Sequence, residues 1–180
     1  MRRETLRKRT GVKPPASQPP FQVLALSGGG YRGLFSALVL EELERRAGRP
    51  LRECFDLVAG TSIGGILACG IAAGVPAARM RHEFEERGRR IFDRRARLPF
   101  GISFPLPKQG LLRARYSRSG LEAAVDGTLG DTAGMRVREV ATPLVVTAVN
   151  ATNGKSVLFD SRGTDSMSAA TLRQAALATS

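Results

Sequence analysis

The sequence predicts an α/β fold, a mostly parallel sheet flanked by helices on both faces. Two observations carry that expectation. Short apolar runs, residues 21–26 (FQVLAL) and 55–59 (FDLVA), each end in a glycine-bearing turn that opens a helical stretch. Short, mostly apolar runs of this length suit strands buried on both faces of a parallel sheet. Strand-like and helix-like segments also alternate along the chain, which places helices against such a sheet. The 180 residues, 42% hydrophobic and 24% charged, suffice for a domain with its own core. In this class functional residues gather at the carboxyl ends of the strands, where both glycine-rich turns lie.

The elements follow in order. Residues 1–20 hold Pro14, Pro15, Pro19 and Pro20 and read as a flexible basic tail with a stiff spacer. The domain is expected over 21–180. After the 21–26 strand, a helix over 34–47 has Leu34, Leu38, Leu40, Leu43 and Ala47 at helical spacing, with Glu41, Glu42 and Glu44 on the other face. Gly48 stops it. The 55–59 strand leads to a nearly all-apolar helix over 66–73, ended by Gly74 and Pro76. Residues 77–92 form a charged amphipathic helix. Residues 97–119, with Pro99, Gly101, Pro105, Pro107 and Gly110, read as an irregular surface loop. A short helix over 119–125 precedes a turn around Asp126-Gly127, Gly130 and Asp131. Residues 143–150 (PLVVTAVN) are a β-branched strand, and Asn153-Gly154 turns it into 156–159. A last helix covers 168–178.

Composition excludes several function classes. The apolar run that a membrane span requires is absent from the sequence, and the basic N-terminus runs into proline rather than a secretory h-region. Two cysteines, Cys54 and Cys69, make neither a disulfide framework nor a Cys-only zinc site. A single histidine, His82, excludes His-pair metal motifs and leaves one candidate base for a Ser-His-Asp triad. The net charge is +12, from 28 Lys+Arg against 16 Asp+Glu. It is concentrated in the tail, where Arg2, Arg3, Arg7, Lys8, Arg9 and Lys13 face only Glu4, and between Arg79 and Arg97, where eight Arg stand against four acids. Such patches attract phosphate backbones or anionic headgroups. A solvated tail and a solvated helix face have the same composition.

The first turn, Gly28, Gly29, Gly30, Tyr31, Arg32 and Gly33, fits G-x-G-x-x-G. A dinucleotide site also needs an acid at the end of the second strand to hold the ribose. That end carries Gly60, Thr61 and Ser62 instead, while Glu53 and Asp56 fall before or at the strand's start. The other reading is an oxyanion hole: glycines let consecutive N–H groups converge on one point at a helix N-terminus, where the dipole adds to them. Arg32 adds charge or braces the loop.

The second turn, Gly60, Thr61, Ser62, Ile63 and Gly64, fits G-x-S-x-G and is followed by Gly65. Between strand and helix this is a nucleophile elbow, holding the serine hydroxyl out at the top of the sheet. The nucleophile needs a base. His82 lies in the charged helix, away from the strand ends. The chemistry then points to a carboxylate paired with Ser62, with Asp126, Asp131, Asp160 and Asp165 the aspartates at hand.

These residues resemble the patatin-like phospholipases. FQVLALSGGGYRGLFSALVLEELE and FDLVAGTSIGGILACGIAAG are similar to the start of that family's domain, and the likeness extends through Arg90-Ile91-Phe92, the PLVVTAVNATNGKSVLF hairpin and LRQAALATS to cover 21–180. Its motifs are G-G-G-x-[RK]-G for the oxyanion hole, here residues 28–33, and G-x-S-x-G for the nucleophile, here Ser62. A third, D-G-[GA], supplies the dyad aspartate and lies beyond a segment like Ala178-Thr179-Ser180. The resemblance thus implies a three-layer sandwich of which these residues are the N-terminal portion, without the dyad aspartate.

The resemblance implies a lipid acyl hydrolase acting on membrane phospholipids through a Ser-Asp dyad, without metal or organic cofactor. LSGGGYRG further resembles bacterial phospholipases of antiphage defence, implying a cyclic-dinucleotide activator. The expected location is cytoplasmic and peripheral at the inner face of the membrane, with residues 98–112 as an interfacial or lid loop and no specific nucleic acid as partner. Two alternatives stay open: an inactive remnant binding anionic membrane or nucleic acid through its Arg patches, and a nucleotide-binding domain using residues 28–33.

Overall fold

The computed structural model describes residues 19–92, 96–97, 103–104 and 118–180. The tail up to residue 18 and, apart from 103–104, the 98–112 segment lie outside the described residues. In chain order the elements are β1 (Val23–Leu26), α1 (Gly33–Ala47), β2 (Leu57–Thr61), α2 (Ile63–Ala73) and α3 (Ala77–Phe92). They continue with β3 (Ala96–Arg97), β4 (Ser103–Phe104), α4 (Arg118–Leu129), β5 (Leu144–Val149), β6 (Ser156–Asp160) and α5 (Leu172–Ala178).

One four-stranded sheet, ordered β1-β2-β5-β6, forms the centre. β1, β2 and β5 run parallel, and β6 returns antiparallel to β5, which is the mostly parallel α/β arrangement expected. The return is made at Asn153-Gly154, with Gly154 at φ 68° and the Lys155 N–H donating to Asn153 Oδ1 at 3.0 Å. Leu24, Val58 and Leu144 stand in one cross-strand row, and Leu26, Gly60 and Val146 in another. These rows face α2, which carries no charged residue and is buried from Ile63 to Ala72. A helix apolar all round has no side to give to solvent. α5 closes on α2 and β5. On the opposite face of the sheet Val23 and Leu158 are about half exposed.

α1 is rotated from its expected orientation, so that only part of the expected apolar face meets the core. Leu40 is buried and Leu34 packs against the core as expected, but Leu38 and Leu43 are exposed at 47% and 41%, and Gly33 and Ala37 are buried in their place. The helix is apolar on both sides, so hydrophobic spacing alone does not choose between them. The small residues allow close packing, and the acids make the choice. Glu44 accepts from the N–H groups of Leu51 (3.2 Å) and Ala77 (2.7 Å), satisfying a free donor at the start of α3. Glu41 pairs with Arg81 of α3 at 2.5 Å. α3 in turn buries Ala77, Met80 and Phe84 at helical spacing. Gly48 ends α1 at φ 63°, its N–H donating to the Glu44 carbonyl at 3.1 Å.

Several boundaries differ from expectation: β2 runs over 57–61 rather than 55–59, and α2 begins at Ile63 rather than 66. Asp126 and Gly127 belong to α4 rather than to a turn, because Val125, Thr128 and Leu129 are fully buried and core packing carries the helix past the glycine. α5 begins at Leu172, not 168. Thr171 and Gln174 form a capping box there, Oγ1 accepting at 3.1 Å and Oε1 at 2.8 Å. Ser168 is instead held in the preceding loop by Asp165. Within the stretch read as irregular, β3 and β4 pair antiparallel. Among the described residues no helix is long and apolar enough to cross a membrane.

Cys69 has 0% exposure on α2. Burial pushes its thiol from 9.0 up to about 12. The folded chain therefore holds this proton more tightly than the unfolded chain does. The resulting contribution to stability is intact below pH 9.0 and is lost as pH rises toward about 12. We expect alkylating reagents to modify the half-buried Cys54 in the native protein, and Cys69 only on unfolding; equal native rates would contradict the burial of Cys69.

Candidate active site

Ser62 joins β2 to α2 at φ 55° and ψ −131°, the one non-glycine residue at positive φ among those described. A side chain in this region costs about 1–3 kcal/mol and persists only where its surroundings enforce it. The enforcing contacts are visible. The Ser62 carbonyl accepts from the N–H groups of Gly65 (2.7 Å) and Ile66 (3.1 Å), which starts the helix. Its N–H donates to Thr179 Oγ1 at 2.8 Å, and Thr179 Oγ1 donates to the Thr147 carbonyl at 2.5 Å. Thr147 is the β5 partner of Thr61, and the two hydroxyls meet at 2.6 Å. The Ser62 side chain is half-buried at the carboxyl end of the sheet.

The glycines make this elbow sterically possible. A Cβ on Gly60 would overlap the Gly64 carbonyl, and one on Gly64 would overlap the Leu26 carbonyl and lie 2.8 Å from that of Ser27. The ends of β1 and β2 and the start of α2 thus touch backbone to backbone. The glycine-rich loop lies against the serine: a Cβ on Gly28 would stand 3.0 Å from Ser62 Cβ and 3.3 Å from the Thr61 carbonyl. Gly33 packs on Ile63, where a Cβ would overlap the isoleucine side chain. Gly30 takes φ 58° and opens the single 3₁₀ turn Gly30–Arg32. Arg32 is exposed, its Nε 3.8 Å from the Cβ position of Gly29.

Gly28, Gly33, Gly60, Thr61, Ser62, Ile63 and Gly64 therefore meet in one place, at the edge where the sequence pattern put them. The candidate bases do not join them. His82 is exposed on α3. Asp126 is bound by Arg173 at 2.6 Å and Asp165 caps Ser168 at 2.9 Å, while Asp131 lies exposed in the 3₁₀ segment Gly130–Gly134. Asp160 forms two hydrogen bonds with the Arg162 guanidinium, at 3.0 and 2.9 Å, which hold its carboxyl below the usual range. Among the described residues no hydrogen bond joins Ser62 Oγ to a carboxylate or imidazole. Asp56 accepts the Gln22 N–H at 2.7 Å, at the opposite end of β1 and β2 from the glycine loop. The sequence pattern gave no site role to Thr179 or Thr147. The Thr179 contact with Ser62 spans 117 positions, a separation that no local motif encodes.

A family model described as patatin-like phospholipase matches residues 24–180. A cGAMP-activated phospholipase of Pseudomonas aeruginosa is 43% identical over 145 residues, covering 78% of this chain and 40% of the relative. Another cGAMP-activated phospholipase, of Escherichia coli, is 33% identical over 149 residues, covering 79% and 40%. Patatin-like protein 1 of Oryza sativa is 33% identical over 150 residues, covering 75% and 34%. The matched region spans about two-fifths of the length of the bacterial relatives.

The backbone contacts separate two kinds of glycine. Gly64→Ala must drive the end of β1 off the start of α2, and we expect it to lower unfolding stability by about 3 kcal/mol or more. Gly134, whose Cβ would meet nothing within 4 Å, should accept alanine within about 0.5 kcal/mol. Urea unfolding of the two variants measures the difference, and equal midpoints would refute the close approach.

Proposed function

The chain belongs to the patatin-like phospholipase family, and on that premise we propose that it supplies the nucleophile and oxyanion hole of a lipid acyl hydrolase. The observation that carries the reading is Ser62 at positive φ on a strand-to-helix elbow, with the glycine-rich loop lying against it. The substrate is a membrane phospholipid. Ser62 Oγ attacks the ester carbonyl, and its proton passes to the aspartate of a Ser-Asp dyad, a role that Asp126, Asp160 and Asp165, engaged by other partners, do not fill. The N–H groups of Gly28, Gly29, Gly30 and Tyr31, near the start of α1, hold the oxyanion that develops. Removing a donor of this kind costs roughly 3–4 kcal/mol in comparable chemistry. Collapse of the intermediate breaks the C–O bond, and the same aspartate returns the proton to the leaving alkoxide. Water then attacks the acyl-serine and releases the fatty acid.

One feature of the elbow favours the loop as the source of donors. In chymotrypsin-like sites the nucleophile's own N–H helps to bind the oxyanion. Here the Ser62 N–H already donates to Thr179. The dinucleotide reading of residues 28–33 loses support, because Asp56 is engaged at the far end of the strands. The bacterial relatives are named for activation by cGAMP, and we assign a cyclic dinucleotide to this protein as its activator class.

The test is phospholipid hydrolysis by the complete gene product, with and without cyclic dinucleotide. Ser62→Ala should lower the rate by about 10³-fold or more, and a fluorophosphonate should label the unchanged protein at Ser62. Equal activity of the two forms would remove Ser62 from the mechanism and leave the remnant reading, in which the Arg patches bind anionic surfaces without catalysis.

A further inference from the structure

We propose that Thr179 is a positioning residue that holds the Ser62 elbow in its attacking geometry. The proposal rests on Ser62 being the nucleophile. The Ser62 N–H points out of the β2–β5 ladder at the place where the chain turns into α2, and it meets Thr179 Oγ1 at 2.8 Å.

The direction of that contact is fixed by proton counting. A threonine hydroxyl has one proton and two lone pairs. The proton of Thr179 goes to the Thr147 carbonyl, which only accepts, so a lone pair must face Ser62. Thr147 is itself tied to Thr61 by register and by the 2.6 Å hydroxyl contact. Thr61, Ser62, Thr179 and Thr147 thus form a closed ring around the turn. The ring anchors the elbow to the strand it leaves and to the neighbouring strand.

Gly65 gives the ring its room. A Cβ at Gly65 would lie 2.7 Å from Thr179 Cγ2 and 3.1 Å from Val146 Cγ1. The threonine methyl therefore occupies a seat cut into the first turn of α2, which aims Oγ1 at the Ser62 N–H. Without that acceptor the Thr61–Ser62 peptide loses the contact that opposes relaxation toward ordinary φ, and the relaxation carries Ser62 Oγ away from the loop of Gly28.

Variants of the complete gene product test this. Thr179→Val keeps the shape and removes the hydroxyl, and should lower kcat by roughly 10- to 100-fold with KM unchanged. Thr179→Ser keeps the oxygen and should stay within about 3-fold of the unchanged protein. The Ser62 amide proton, followed by NMR, should exchange faster in the valine variant. If valine prevents folding, judged by circular dichroism, Thr179→Ala is measured in its place. A valine or alanine variant with unchanged kcat, or a serine variant as impaired as valine, overturns the proposal. Ser62→Ala assayed beside them separates the two readings. An inactive Ser62→Ala with a fully active Thr179→Val removes only the positioning role. An active Ser62→Ala removes the nucleophile, and the positioning role with it.

Discussion

The carboxyl edge of the sheet is organised by how closely α2 approaches the ends of β1 and β2. Gly60 and Gly64 leave those backbones in contact with no side chain between them, and the chain can then pass from strand to helix only through a sharp turn. Ser62 takes up that turn at φ 55°. The same closeness sets the glycine-rich loop against the serine, since β1 feeds the loop and lies beside β2. Burial stabilises the arrangement: α2 is enclosed on all sides, so a shift that relaxed the elbow would open the most apolar part of the core.

Much of this was legible in the sequence because it is local. A short, mostly apolar strand, a cluster of small residues and an uncharged helix follow one another within residues 55–73, and each requires the next. The glycines of residues 28–33 were also legible, though for a different reason from the one the pattern suggested. Conformational freedom is used at Gly30, at φ 58°, whereas Gly28 and Gly33 are required because Ser62 and Ile63 occupy the space a Cβ would fill. Steric need between segments leaves the same letter in the sequence as torsional need within one.

What stayed hidden depends on distant partners. α1 carries apolar residues on two sides, and the choice between them was made by Glu44 and Glu41 reaching Leu51, Ala77 and Arg81. A glutamate that caps another helix is indistinguishable by spacing from one that faces water. Asp126 beside Gly127 resembled a turn until burial of Val125, Thr128 and Leu129 extended the helix through it. The candidate bases follow the same logic. Asp126, Asp160 and Asp165 look alike in sequence, and each proves to be engaged by a partner that leaves Ser62 alone.

The ring that closes on Thr179 also has a consequence in time. Its acceptor lies 117 positions after Ser62, so during synthesis the serine, its glycines and its helix all leave the ribosome well before the residue that completes the turn. Contacts of such sequence separation are among the last to form in a folding chain. A nascent polypeptide carrying the whole G-x-S-x-G turn therefore still has a Ser62 amide without its partner, free to sample relaxed conformations. Tying the elbow to the end of α5 makes maturation of the serine a late event, one that waits until most of the sheet has been assembled around it.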